Sequence, residues 1–128
     1  MATTIATAAI NAAADAVVDI LDTGSADATG DLEIETSGQA VLVTCLFANP
    51  AFGSAAEGVA TANAIGQGTA TGAGTAAECD IRDRDNGNVI EGSVTAPAGG
   101  GEIELTNLVI AVSDTVDITA MTYTQPAS

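Results

Sequence analysis

The chain contains no histidine, no lysine and no tryptophan among its 128 residues. Without histidine it lacks the side chain that titrates near neutrality and the commonest transition-metal ligand. Without lysine it can form neither a Schiff base nor the phosphate contact of a P-loop. Its serines have no histidine to activate them as nucleophiles. We therefore expect no enzymatic activity, no cofactor and no metal site.

Positive charge is also scarce. Arg82 and Arg84 are the only basic side chains against 17 acidic ones, which gives a formal net charge of −15. Nucleic-acid binding draws much of its affinity from the neutralisation of phosphates by lysine and arginine. A chain this acidic is repelled by nucleic acid and by anionic membranes, so we exclude both as partners.

Aromatic side chains and long apolar runs are few. Phe47, Phe52 and Tyr123 are the only aromatic residues, which leaves little for the flat platforms of a carbohydrate site. No apolar run approaches the roughly 18 residues of a membrane span. No basic residue precedes the first apolar residues, as a signal peptide requires. We expect synthesis in a cytoplasm and a soluble product.

The two cysteines, Cys45 and Cys79, are too few for a disulfide scaffold. We interpret them as two buried free thiols, because free cysteine packs as a small hydrophobic residue. A single disulfide between neighbouring strands is the alternative.

A length of 128 residues predicts one domain. We divide it into an N-terminal helix with its cap, residues 1–24, and a single β domain, residues 25–128. The helix covers residues 3–22, with Thr3 or Thr4 as N-cap and Gly24 as C-cap. Its apolar stripe at helical spacing consists of Ile5, Ala9, Ala13, Val17 and Ile20.

Three aspartates, Asp15, Asp19 and Asp22, are predicted on the opposite, solvent-facing side of this helix. The alanine-rich face should therefore dock closely, either on a sheet or on another subunit.

From residue 31 the hydrophobic period changes to two, which is typical of strands with one buried face. We predict a mainly β, antiparallel domain, either a β-sandwich resembling a jelly roll or a barrel-like sheet. Residues 41–47 are the expected central strand. The other predicted strands cover residues 31–35, 77–82, 89–94, 102–107 and 115–124, and residues 108–112 either continue the strand at 102–107 or begin the next one.

Residues 53–76 are unusual, with eight alanines, six glycines, four threonines and Glu57 as the only charge. We expect either a long surface loop or slender strands that meet the surface of another protein. The glycines at 66, 68 and 72 do not match a nucleotide-binding loop, because their spacing is wrong and no βαβ unit surrounds them.

Two further acidic patterns have simple structural explanations. Residues 83–88 resemble a calcium loop, but the glycine and the glutamate do not stand at the spacing of an EF-hand. We interpret them as a solvated hairpin tip with arginine–carboxylate pairs, with weak calcium binding as the alternative. The pairs Glu33/Glu35 and Glu102/Glu104 are predicted to be surface charges on exposed strand faces.

Three stretches of the sequence are distinctive: residues 46–53 (LFANPAFG) with 58–65 (GVATANAI), residues 74–77 (GTAA) with 85–87 and 90–94 (IEGSV), and residues 116–119 (VDIT) with 124–127 (TQPA). They resemble a family of small virion proteins of tailed bacteriophages, and nearest among them the head decoration, or cement, proteins. The resemblance spans nearly the whole chain, although residues 32–35 (LEIE) and 78–82 (ECDIR) depart from it by being more acidic and less aromatic.

The resemblance implies a protein without catalysis that is made in the host cytoplasm and binds the outer surface of the assembled head. The implied partner is the major capsid protein, with self-association into a dimer or trimer. A phage tail component, such as a tube or fibre subunit, and a secreted cell-surface binding module are the alternatives. The candidate interface residues are Ile5, Ala9, Ala13, Val17, Ile20, Pro50, Phe52, Val59 and Ile65.

Overall fold

One helix precedes eleven strands in residues 4–126, the part of the chain that the computed structural model describes. The helix, α1, spans Thr7–Asp19 and is followed by a 3-10 turn over Ile20–Asp22. Strands make up 35% and helices 13%, so the predicted mainly β fold with one N-terminal helix is confirmed. The strands are β1 (Asp31–Glu35), β2 (Val41–Leu46), β3 (Val59–Thr61), β4 (Gly68–Thr69), β5 (Gly74–Thr75), β6 (Glu78–Arg82), β7 (Asn88–Thr95), β8 (Ile103–Glu104), β9 (Val109–Ile110), β10 (Thr115–Val116) and β11 (Thr122–Thr124).

Five strands form the main sheet, in the order β2-β1-β6-β7-β8, and this sheet curls into a half-barrel. The structure therefore takes the barrel-like form of the predicted fold. Neighbours from β2 to β7 are antiparallel as predicted, whereas β7 and β8 run parallel, with Val94 opposite Ile103. Three further antiparallel pairs are β10-β4, β11-β3 and β5-β9.

Alternation places the hydrophobic core on one face of the main sheet. Leu32 of β1 lies opposite Cys45 on one side and Ile81 on the other. The next inward position of β1, Ile34, repeats this arrangement. The fully buried residues on this face of the three strands are Leu32, Ile34, Val43, Cys45, Cys79 and Ile81, and Leu42 of β2 is fully buried as well.

The apolar strand β2 lies at the edge of the main sheet, so the prediction that it is the central strand is wrong. Its outer edge is nevertheless covered by residues 66–72. The N–H of Gly66 donates to the carbonyl of Leu46 at 2.7 Å, and that of Thr71 donates to the carbonyl of Leu42 at 2.9 Å. This cover explains why an edge strand has the composition of a central one.

The segment 53–76 thus forms thin strands and turns that pack on the chain's own sheet, rather than a free loop. Its glycines allow the close approach. A Cβ built on Gly68 would lie 2.6 Å from Cγ2 of Val43 and 2.7 Å from the carbonyl oxygen of Thr44. Of the two predicted alternatives, slender strands are correct, and these strands pack on the same chain.

The helix is shorter than the predicted residues 3–22. Its N-cap is Ala6, which makes no side-chain capping bond, and its C-cap is Ile20. Thr4 precedes the helix, and Thr3 lies outside the described residues. Gly24 adopts a φ of 117°, but it follows the 3-10 turn instead of capping α1.

The later strands are also shorter than predicted. The expected strands at 102–107 and 108–112 form only the short strands β8 and β9. The expected strand at 115–124 divides into β10 and β11, which pair with different partners. The two-stranded pairs beside the curled main sheet hydrogen-bond over only a few residues each. An alternating sequence pattern continues beyond those residues, so it predicts strands that are too long.

We predict that Gly68→Ala destabilises the fold by about 1–3 kcal/mol, the usual cost of overpacking a tight site. Gly38→Ala is the matched control, because its nearest neighbour is the Thr36 hydroxyl at 3.8 Å. Urea unfolding of both variants measures the difference. Equal stability of the two variants would show that residues 66–72 do not lie closely on β2.

Candidate functional site

The inner face of helix α1 packs into the same core as the sheet. Ala14, Val18 and Leu21 are buried, and Val18 and Leu21 belong to the central hydrophobic cluster. The segment around Gly58 approaches the helix so closely that a Cβ there would lie 2.7 Å from Cγ2 of Ile10. The helix is therefore an integral part of the β domain.

Three polar side chains of the helical segment bind the backbone of residues 51–58. Oδ1 of Asn11 accepts from the N–H of Gly58 at 2.7 Å, and Oδ1 of Asp15 accepts from that of Ala55 at 2.7 Å. Further along, Oδ1 of Asp22 accepts from the N–H of Ala51 at 2.9 Å. We call these three contacts the helix clamp.

The helix clamp corrects the prediction that Asp15 and Asp22 face solvent. The irregular segment 51–58 exposes backbone N–H groups that need acceptors when they are covered, and these carboxylates supply them. The positions 11, 15 and 22 share one helical face, and this spacing is the signal that sequence reasoning missed. Asp19 is exposed, as predicted.

The outer face of the helix carries three of the nine predicted interface residues, and two more lie at its margin. Ile5 and Ile20 are 40% and 44% exposed, and Ala9 is exposed as well. Ala13 and Val17 lie at the margin and are half-buried. We call the exposed apolar residues of this side the outward helix face, which consists of Ile5, Ala8, Ala9, Ala12, Ala16 and Ile20. Helical spacing places the exposed carboxylate of Asp19 on the same side.

The four remaining predicted interface residues do not form a single exposed group. Pro50 is exposed, while Val59 and Ile65 are half-buried. Phe52 is only 4% exposed, and its ring centroid lies 5.8 Å from that of Phe47. Phe52 therefore belongs to the core and not to a contact surface, because one of the few aromatic side chains is needed to fill the interior.

The outer face of the main sheet carries an unexpected concentration of partly buried charge. We call the side chains of Asp31, Glu33, Glu35, Asp80 and Arg82 the acidic sheet face. Asp31 and Glu35 are buried, and the other three are half-buried. The prediction that the Glu33/Glu35 pair is fully exposed is therefore wrong, whereas Glu102 and Glu104 are exposed as predicted. The reason is that β1 lies inside the sheet, so side chains of β2 and β6 crowd its outer face from both sides.

Both arginines are engaged. Arg82 forms a two-pronged pair with Asp31, with both N–O distances at 2.7 Å, and its third nitrogen lies 3.1 Å from Glu33. The bond to Asp31 raises the pKa of Arg82. Arg84 instead donates to the backbone carbonyl of Asp27 at 2.7 Å, so the expected arginine–carboxylate pairing does not lie at the hairpin tip.

Burial dominates the electrostatics of Glu35. It raises the pKa of the Glu35 carboxyl from 4.5 to about 7, and a hydrogen bond with Asp80 and the charge of Asp80 add to this effect. Burial also raises the pKa of Glu33, against the opposing influence of Arg82. The acidic sheet face thus contains carboxyl groups that retain protons more readily than surface carboxyls do.

Residues 83–88 form the predicted hairpin turn between β6 and β7. Oδ1 of Asp83 accepts from two backbone N–H groups of the turn at 2.8 and 2.9 Å. Oδ1 of Asp85 accepts from the N–H groups of Ser25 and Ala26, which lowers the pKa of Asp85. These carboxylates hold the turn and fasten it to the segment that follows the helix.

The two cysteines are buried free thiols, as predicted. The alternative of a disulfide between neighbouring strands is wrong, because Cys45 on β2 and Cys79 on β6 are separated by β1. Two inter-strand spacings amount to about 10 Å, beyond the reach of a disulfide. Burial raises the pKa of the Cys79 thiol to about 12 and also raises that of Cys45.

Within residues 4–126, no helix combines the length and the apolar character needed to cross a bilayer. Comparison with protein-family models, with curated proteins and with solved structures found no match to this chain.

We predict that Asp15→Ala lowers the free energy of unfolding by about 1–3 kcal/mol, because the partly buried N–H of Ala55 loses its acceptor. Asp19→Ala removes the same charge from an exposed position of the same helix and should change stability by less than about 0.5 kcal/mol. Urea unfolding of both variants provides the comparison. If Asp19→Ala were as destabilising as Asp15→Ala, the helix clamp would not hold the segment.

We predict that Glu35→Gln reduces the dependence of stability on pH between about 4.5 and 7. The folded state retains a proton on Glu35 that the unfolded state has lost in this window, so the contribution of Glu35 is complete below pH 4.5 and disappears as the pH rises through 7. The shift corresponds to about 3 kcal/mol.

Urea unfolding of the wild type and of Glu35→Gln across this pH range, with a chelator present, tests the prediction. Glu104→Gln, at an exposed position, is the control and should follow the wild type. Parallel pH curves for the wild type and Glu35→Gln would contradict the buried position of this carboxyl.

Proposed function

We propose that this chain is a capsid decoration protein of a tailed bacteriophage, which binds the outer surface of the assembled head and stabilises it without catalysis. Its sequence resembles that family in stretches spread over nearly the whole chain. The outward helix face is the observation that carries the proposal, because it offers an exposed apolar surface on a firmly held element.

The outward helix face has the properties of a preformed contact surface. Alanines make it flat, and Ile5 and Ile20 place larger apolar groups at its two ends. Alanine loses no rotamer freedom on contact, so binding through this face costs little side-chain entropy. The helix clamp and the buried residues Val18 and Leu21 fix the helix on the domain, so little ordering is needed when a partner binds.

The charge of −15 is compatible with a position outside the capsid shell. There the protein has no contact with the packaged genome, and the charge favours solubility before assembly. Under this proposal the partner is the outer surface of the major capsid protein, and self-association into a dimer or trimer would multiply the contacts on the shell.

The proposed mechanism is thermodynamic. A protein that binds only the assembled shell stabilises that state by an amount that grows with its free concentration relative to its dissociation constant. No bond is made or broken, and the effect requires only that neighbouring capsid subunits present a complementary surface when the shell is complete.

Cosedimentation with undecorated capsids, both expanded and unexpanded, tests this function. We expect saturable binding of the wild type to expanded shells and a higher melting temperature of the decorated capsid. Ala12→Arg places a long charged side chain in the centre of the outward helix face and should weaken binding at least about tenfold.

Ala96→Arg is the control for this experiment, because it adds the same charge at an exposed position outside the helix. It should bind as the wild type does, and circular dichroism should show that both variants fold. Absence of wild-type binding to either form of capsid would overturn the proposal. Rings or fibres in negative stain would then support a tail component.

A further inference from the structure

Three carboxylates from two strands converge on the acidic sheet face. Glu33 and Glu35 lie two residues apart on β1, and Asp80 on β6 is directly opposite Glu33. One carboxylate oxygen of each residue lies within 4.8 Å of those of the other two. Like charges placed directly opposite each other destabilise a sheet. A bound cation or a bound proton would offset their repulsion.

Arg82 offsets only part of this charge. Two of its nitrogens bind the carboxylate of Asp31 at 2.7 Å, and the third is 3.1 Å from Oε1 of Glu33. The guanidinium is thus committed to Asp31 and to one oxygen of Glu33. Within residues 4–126, Arg82 forms no ion pair with Glu35 or Asp80.

The burial of Glu35 is the second observation. The residue is 5% exposed, and its Oε1 atom accepts no hydrogen bond from any of the described residues. A buried carboxylate oxygen without a partner is unfavourable and rare in folded proteins. Because one oxygen of Glu35 belongs to the cluster, this incompletely satisfied carboxyl group borders the space between the three carboxylates.

We propose that Glu33, Glu35 and Asp80 form a binding site for a hard divalent cation that joins β1 to β6. Carboxylate oxygens are the preferred ligands of Ca²⁺, Mg²⁺ and Mn²⁺. Two oxygens bound to one such ion, each at about 2.0–2.6 Å, lie at most about 5 Å apart, which agrees with the observed spacing.

This site differs from the sequence-based expectation that the chain has no metal site, and it lies apart from the calcium-like turn at residues 83–88. Its three carboxylates lie on the outer face of the sheet, whereas the two cysteine thiols lie in the core on the opposite face. The site therefore has no thiolate ligand and does not favour soft metal ions. Water molecules would complete the coordination of an ion held by three carboxylates. The inference is independent of the proposed capsid function.

Binding of Mn²⁺ followed by electron paramagnetic resonance tests this site on the full chain in salt of physiological strength, which screens diffuse attraction to the acidic surface. We expect one saturable Mn²⁺ per chain, displaced by Ca²⁺ or Mg²⁺. Glu35→Gln and Asp80→Asn should each weaken binding at least about tenfold. Asp19→Asn removes the same unit of charge from an exposed position and should leave the affinity unchanged.

Nuclear magnetic resonance locates the ion independently of affinity. Mn²⁺ should broaden the amide signals of residues 33–35 and 79–81 before those of other acidic segments. Circular dichroism should show that the variants fold, since each substitution removes a repelling charge. The proposal would be overturned by the absence of saturable binding, by equal loss of affinity in all three variants, or by broadening centred on residues 83–88.

Discussion

The close approach of a small-residue segment to strand β2 is the constraint on which the rest of the fold depends. With only three aromatic residues, the chain fills its interior mainly with aliphatic side chains. It also brings the backbone of residues 66–72 against β2, where Gly68 leaves no room for a Cβ. This contact covers the outer edge of β2 and satisfies carbonyl groups of Leu42 and Leu46. The segment that its composition marks as a candidate contact surface therefore also packs on the chain's own sheet.

This use of the segment moves the candidate interaction surface to the helix. The helix clamp and the buried inner residues hold α1 on the domain, so its outer side remains exposed and apolar. The same loop that the clamp holds, residues 51–58, leads into the segment that covers β2. The helix, the loop and the sheet edge thus form one connected structure, in which a change in the loop would affect both the core and the outward helix face.

The sequence predicts the main strands well, because apolar and polar residues alternate along β1, β6 and β7 and an apolar run marks β2. It predicts the helix but misplaces its contacts. Alanine occurs on both the buried and the exposed face of α1, so the alanines do not indicate which side packs on the domain. The role of Asp15 depends on the N–H group of Ala55, which lies 40 residues away in the sequence.

The burial of Glu35 could not be predicted from local alternation, because it depends on which strands flank β1. The edge position of β2 was missed for the same reason, since an apolar run does not reveal what covers it. In each case the missing information is a contact between distant segments.

Hydrogen exchange of the isolated protein, resolved by residue, tests most directly whether the small-residue segment is part of the domain. The amides of Gly66 and Thr71 donate to β2 and those of Ala55 and Gly58 donate to the helix, so we expect all four to be protected together with the core strands. Exchange of Gly66 and Thr71 at the rate of an unstructured chain would contradict this account. Residues 66–72 would then be a free loop available to a partner.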